Sequence, residues 1–337
     1  MKISVALCSY NGEHFLSEQL ASVLAQSHQP DELVICDDVS TDRTIMIARE
    51  FAASAPFPVR IYVNDHTLGS SRNFERAIEL CNCDDGIIVL SDQDDVWVKE
   101  KLATIEDIYR KYPDTNVVFS DAEVVSYDLQ PKSYRLWDAV KFSKSERREV
   151  ESGQAIRVLL RHNVVTGATM ALRAELRPLV LPVPEGVVHD AWIALLAAVA
   201  GRIRLTSLPL ILYRQHGANQ IGVSRLNLVE RIQRPCERAI REARTALSLY
   251  EQAYVRLKET SLPCVTSALL DDLSQKMEHI HQRISVALRE HGWLRRMVVE
   301  IVRGRYHRYS VGWWSIGHDL IKCSFSRQQA VPEKRAS

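Results

Sequence analysis

The stretch Ile87-Ile88-Val89-Leu90-Ser91-Asp92-Gln93-Asp94-Asp95-Val96-Trp97 decides how the chain reads: four apolar residues form a buried strand that ends on three carboxylates within four positions. The same event repeats upstream. Ile3 to Leu7 runs into Cys8-Ser9-Tyr10-Asn11, Leu33 to Cys36 into Asp37-Asp38-Val39-Ser40-Thr41-Asp42, and Val59 to Val63 into Asn64. Helix-period segments lie between these strands, carrying Leu16, Leu20, Val23 and Leu24, then Ile45, Ala48, Phe51 and Ala52, then Phe74, Ala77, Ile78 and Cys81 on single faces. Alternation of this kind predicts an α/β fold with a Rossmann-like, mostly parallel sheet and flanking helices, with Val96-Trp97 expected at the start of the next helix. Right-handed crossovers bring every carboxyl end of a parallel sheet to one edge, so the four polar clusters are expected to line one crevice. Taken singly, each has a plainer reading, as a helix cap or a solvated acidic turn.

Carboxylates crowded at such a rim repel one another unless a cation neutralises them. Hard oxygen ligands suit Mg²⁺ or Mn²⁺, which take one or two protein carboxylates and complete their shell with phosphate and water. The implied ligand is therefore phosphorylated. Neither the GxGxxG turn of dinucleotide binders nor the GxxxxGK[ST] loop of P-loop enzymes occurs in the chain.

Composition sets the outer limits. Of 337 residues 46% are hydrophobic and 25% charged, enough for a large globular domain with an appendage, and the net charge of +1 provides no global field for nucleic acid. No leader-like pattern opens at Met1, the longest apolar stretch, Ala191 to Gly201, is too short to cross a bilayer, and the seven cysteines form no CxxC pair. These features suggest a cytoplasmic protein with reduced thiols.

Ser9-Tyr10-Asn11-Gly12-Glu13, Asp37 to Asp42 and Ser91 to Trp97 resemble the signature segments of the family 2 inverting glycosyltransferases, which have the GT-A fold. The likeness continues through Asn64 to Asn73, Asn163 to Met170, His189-Asp190-Ala191-Trp192 and Tyr213-Arg214-Gln215-His216, and so covers residues 1 to about 222. In wording it is most similar to bacterial rhamnosyltransferase-like members that build surface polysaccharide or lipopolysaccharide. The resemblance implies a nucleotide-diphosphate donor, dTDP-rhamnose or a UDP-sugar, and a saccharide or lipid-linked acceptor. It implies donor contacts from Cys8, Ser9, Tyr10, Asn11, Glu13, Asp38, Asn64, Arg72, Asn73 and Asp92, with Tyr10 at the base and Asp38 on its imide. Asp92, Asp94, Asp95 and His216 would reach the metal, and Thr166, Gly167 and Trp192 would border the acceptor. Asp190 would be the general base, taking the acceptor hydroxyl's proton in a single inverting displacement. Two departures stand out: Val39 where the family more often has glycine, and His189 where an acidic residue usually precedes the base. By pattern alone Asp190 also suits the first turn of an apolar helix, and His216 a structural hydrogen bond. The alternative functions are a degenerate, glycosyltransferase-like binding protein and a nucleotidyltransferase, whose Gly-rich basic loop is missing after the first strand.

From residue 223 to 337 the pattern becomes helical, a second module. Val229, Ile232, Cys236, Ala239, Ala243, Ala246, Tyr250 and Ala253 form one stripe and Leu270, Leu273, Met277, Ile280 and Ile284 another, as in a helix hairpin joined at Ser261-Leu262-Pro263; a homodimeric coiled coil is the alternative. Pro235 marks a kink or a helix start. Between 293 and 322 cations interleave with Trp293, Tyr306, Tyr309, Trp313 and Trp314, which reads either as a peripheral contact with the inner face of the cytoplasmic membrane or as helices packed on the catalytic domain.

Overall fold

The computed structural model describes residues 1–216 and 236–325. Strand β1 (Ile3–Ser9) is buried along its whole length and is the spine of the sheet. It pairs in parallel with β2 (Glu32–Asp37) on one side and β4 (Ile87–Asp92) on the other, and β2 pairs in parallel with β3 (Val59–Val63). Strands buried on both faces need near-continuous apolar sequence, which β1, β2 and β4 have, whereas β3 is a half-buried edge strand. Helices α1 (Leu16–Leu24), α2 (Thr44–Ser54) and α3 (Ser70–Leu80) are the crossovers. Leu16, Leu20 and Val23 of α1 enter the main core beside Ile3, Val5, Leu7, Ile35 and Val89, whereas Leu24, expected on that face, is exposed.

The sheet then changes character. Beyond β4 lies β8 (Met170–Arg173), antiparallel to both β4 and β6 (Thr115–Val125). Next comes β9 (Arg202–Arg214), parallel to β6, and finally β5 (Val96–Trp97), antiparallel to β9, while β7 (Pro131–Arg135) pairs antiparallel with β6. The nine-stranded sheet is therefore mixed, with its parallel half first in the sequence. Val96-Trp97 is a correction to the helix expected there. Val96 pairs with Leu212, Trp97 with Ile211, and the next helix, α4, spans Lys101–Lys111. Short helices α5 (Leu136–Ala139), α6 (Lys144–Glu151), α7 (Ala155–Arg161) and α8 (Arg177–Val180) precede the apolar α9 (His189–Ala200).

The chain divides into two compact units, Met1–Val158 with Asn163–Ser224 and Leu159–His162 with Arg225–Ser337. The Tyr250 hydroxyl donates to the Leu159 carbonyl at 2.7 Å, a hydrogen bond inside the second unit that no sequence pattern announces. The second unit contains the long helices Cys236–Glu259 and Ser267–Ala287, then Trp293–Val302, Arg305–Tyr309 and Trp313–Phe325. Along the first stripe Tyr250 and Ala253 are buried, joined by Leu247 and Leu257, while Ala239, Ala243 and Ala246 are only half-buried. Val229, Ile232 and Pro235 lie outside the described residues. No helix among the described residues is long and apolar enough to cross a membrane.

Candidate functional site

A cleft of about 550 Å³ opens where β1, β2 and β4 end, closed on its far side by the start of α9 and the end of β9. Of the residues expected at a donor, Cys8, Ser9, Tyr10, Asn11, Asp38, Asn73 and Asp92 line it, and so do Asp94, Thr166, Gly167, Asp190 and His216. Chain topology brings them together, because each follows a strand or opens a helix at the same sheet edge.

The rim is held by its own polar groups. Asp37 accepts from the Ser9 hydroxyl at 2.8 Å and from the Ser40 amide at 2.7 Å, fixing a turn in which the β-branched Val39 adopts φ 66°. A β-branched residue at that φ, where the family more often has glycine, carries backbone strain. Asp38 accepts from the Asn64 side chain (2.8 Å) and the Leu68 and Gly69 amides (2.7 and 2.8 Å), so its carboxylate is aimed by the loop after β3. Gln93 grips Tyr10 twice, accepting its N–H at 2.8 Å and donating to its carbonyl at 2.9 Å. A Cβ on Gly12 would come within 2.1 Å of the Gln93 amide oxygen, which is why glycine stands there.

Five expected site residues do not line the cleft. Glu13 accepts the Arg43 amide and its own amide donates to Asp42, so it closes the loop onto α2. Asn64 is buried behind Asp38, donating also to Asn73. Arg72 pairs with Glu75 at 2.8 Å. Trp192 is wholly buried on the inner face of α9, its indole N–H donating to the Val180 carbonyl at 2.7 Å, and this corrects its expected place beside an acceptor. Asp95 lies beneath the cleft floor: one oxygen accepts the Arg214 amide at 3.0 Å and the other is buried with no hydrogen-bond partner among the described residues.

The carboxylates are under electrostatic pressure. Burial, reinforced by Asp94 and Asp190, pushes Asp92 up to about 7. Burial lifts Asp190 to about 6, against the stabilising hydrogen bonds from the Gly167 amide (3.1 Å) and the Asn163 side chain (3.2 Å). Asp95 is raised by burial and by Asp94 and Asp92. Opposing them is Lys101, fully buried, its ammonium 3.9 Å from the Trp97 ring centre and donating to the Ala168 carbonyl at 2.9 Å; burial lowers it to about 7. Lys101 thus joins the aspartate cluster to the turn that holds Asp190. Neither Lys101 nor Gln93 was singled out in the sequence, although both sit within or just beyond the acidic stretch.

His216 lies 2.8 Å from Asp94 and stacks on Phe15 with ring centres 4.5 Å apart. Arg214 donates to the Asp94 carbonyl at 2.8 Å and pairs with Glu18, so it anchors the acidic loop to β9 and α1. His189 stacks on Phe74 at 4.3 Å, has neither ring nitrogen hydrogen-bonded among the described residues, and is held down to about 4 by burial, hence neutral. A Cβ on Gly167 would meet its Nε2 at 2.7 Å, so the glycine serves close packing. Among the described residues no three His, Cys, Asp or Glu side chains converge as a closed metal cage. The mutually repelling oxygens of Asp92 and Asp94, with His216 alongside, fit instead a hard cation that draws most of its ligands from phosphate and water.

Residues 4–170 match the family model for glycosyl transferase family 2. The dTDP-rhamnosyl transferase RfbG of Shigella flexneri is 38% identical over 105 residues, 30% of this chain and 36% of that protein. The UDP-Glc:alpha-D-GlcNAc-diphosphoundecaprenol beta-1,3-glucosyltransferase WfgD of Escherichia coli is 32% identical over 100 residues, 30% of this chain and 38% of that protein. The aligned chain thus spans little more than a third of the length of either relative. Among solved structures, S. aureus TarS 1–349 in complex with UDP-GlcNAc superposes with a TM-score of 0.60 at 16% identity, covering 98% of this chain and 93% of that one, a likeness of fold.

Proposed function

Because the chain belongs to glycosyl transferase family 2 and carries a GT-A fold, we propose that it moves a sugar from a nucleotide-diphosphate donor to a saccharide or lipid-linked acceptor, with inversion at the anomeric carbon. The catalytic portion is residues 1–222. The observation that carries this reading is the crowding of Asp92, Asp94 and Asp190 along one cleft, where burial and the neighbouring carboxylates push Asp92 up to about 7 and burial pushes Asp190 up to about 6, against the opposing charge of the buried Lys101.

Tyr10, 48% exposed at the rim, would stack on the donor base, and the loop-aimed Asp38 would accept its imide N–H. Asp92, Asp94 and His216 would hold Mg²⁺ or Mn²⁺ with the donor diphosphate, and such a cation supplies positive charge to the leaving group. At neutral pH Asp190, near 6, is mostly ionised and can take the acceptor hydroxyl's proton. The acceptor oxygen bonds to the anomeric carbon as the bond from that carbon to the diphosphate breaks, and the proton stays on Asp190. The Gly167 amide and Asn163 fix the carboxylate's direction, and Thr166 and Gly167 border the acceptor side. The named relatives support dTDP-rhamnose or a UDP-sugar as donor and a role in cell-surface polysaccharide synthesis.

The test is a panel of nucleotide sugars scored for nucleoside diphosphate release with Mn²⁺, with Mg²⁺ and with chelator. Release from at least one dTDP- or UDP-sugar, lost with chelator, is expected. No release from any donor, together with no binding of dTDP or UDP, would overturn the reading.

A further inference from the structure

The second unit is built with its charge inside. Lys276, His279, Glu300 and Asp319 are buried. His279 lies 2.6 Å from Glu300 through Nδ1 and 2.9 Å from the Ser310 hydroxyl through Nε2; Lys276 donates to the Tyr309 carbonyl at 2.7 Å, and Arg283 bridges to Asp319 at 2.8 Å. Tyr306 and Tyr309, two of the aromatics interleaved with cations in the sequence, are wholly buried with them.

Outside, the same helices present apolar side chains. In Trp293–Val302, Met297 and Glu300 point inward, while Leu294, Val298 and Val302, spaced four apart, are 57%, 55% and 81% exposed. In Trp313–Phe325, Ser315, Ile316 and Asp319 are buried, and Trp313, 73% exposed, heads a stripe continued by Gly317, Leu320 and Ile321. A side chain added at Gly317 would meet no atom of the described residues. The acidic residues from Trp293 to Ile321 are Glu300 and Asp319, both internal and paired. The exposed arginines of the segment are Arg295, Arg296, Arg303 and Arg308, the last also pairing with Asp272.

Apolar and indole groups standing out of a cationic surface complement an anionic bilayer: the indoles suit the headgroup zone and the arginines the lipid phosphates. We infer that the outward faces of Trp293–Val302 and Trp313–Phe325 dock in plane on an anionic phospholipid surface. These helices lie on the bilayer rather than span it, since none is long and apolar enough to cross. The inference is independent of the transferase reading, because its readout is partitioning, not turnover.

Flotation of the full chain with phosphatidylcholine vesicles, with and without phosphatidylglycerol, tests it. The chain is expected to float with the anionic vesicles, less so at high salt, and hardly with neutral ones. Val298→Glu combined with Val302→Glu should leave the melting temperature unchanged, since both side chains are exposed. It should weaken partitioning about 30-fold, the factor for two charges at ~1 kcal/mol each. Brominated lipid should quench tryptophan emission in the wild type but not in the variant. Absence of flotation with anionic vesicles, or equal flotation of the variant, would overturn the inference. So would a wild-type dimer that becomes monomeric in the variant without any vesicle binding, which would give the face to a second copy of the chain.

Discussion

Two clusters of buried charge, one in each unit, are built on opposite principles. In the second unit, carboxylates meet cations. Asp319 is held well below the usual carboxylate range chiefly by Arg283 against the burial penalty, and Glu300 is held down by His279 and Arg305. In the cleft, carboxylates meet carboxylates. Asp92, Asp95 and Asp190 are all raised, one Asp95 oxygen has no hydrogen-bond partner among the described residues, and Lys101 supplies buried positive charge behind them. A satisfied cluster stabilises a particular packing, whereas an unsatisfied one stores the electrostatic demand that a ligand can meet.

The largest stability change is expected at the satisfied cluster. Asp319→Asn should destabilise the second unit by about 3 kcal/mol at neutral pH, the low end for a broken buried pair because the Arg283 side chain is 29% exposed. A carboxylate held low contributes stability above its unfolded pKa and loses it as pH falls, so the deficit should shrink below about pH 4 in denaturant titrations. The cleft should answer with the opposite sign. A carboxylate raised to about 7 is a burden once ionised, so Asp92→Asn should stabilise the protein by roughly 2 kcal/mol at pH 8, and the gain should shrink below about pH 7 and vanish near pH 4. If Asp92→Asn destabilises at pH 8, the contrast between the clusters is lost. A smaller effect is expected from Lys101→Met, which orphans the Ala168 carbonyl and withdraws the buried ammonium. Because the Ala168 carbonyl adjoins the Gly167 amide that holds Asp190, misplacement of that carboxylate should lower kcat about tenfold, with donor KM nearly unchanged. An unaltered kcat would remove Lys101 from the positioning of Asp190.

Much of this contrast could be read from the sequence, but not evenly. The cleft's strand ends were legible because parallel strands put residues that follow apolar runs at one edge, so Asp38, Asp92 and Asp94 could be placed together from chain order alone. Val96-Trp97 could not be read as a strand, since its partner, β9, lies more than a hundred residues away and two residues carry no periodicity. Trp192, Glu13 and Arg72 stand inside motif-like stretches yet face the interior or neighbouring loops, because adjacency in sequence does not fix direction on a helix or turn. Lys101 was missed for the converse reason. A lysine is ordinarily solvated, and only the Trp97 ring, the Ala168 carbonyl and the aspartates, all set by tertiary packing, make its burial tolerable. In the second unit Lys276, His279 and Arg283 sit among apolar stripe positions, and their partners Glu300 and Asp319 come from later helices, so no local pattern could pair them.

The most direct test of the central claim, that the unbalanced cleft is a glycosyl-transfer site worked by Asp190, is the turnover of Asp190→Asn with the donor the wild type accepts, measured beside donor affinity. Asparagine retains an acceptor oxygen for the Gly167 amide but cannot take a proton. The rate should fall by roughly a hundred- to ten-thousand-fold while donor binding and melting temperature are maintained; transfer within a few fold of wild type would contradict the account.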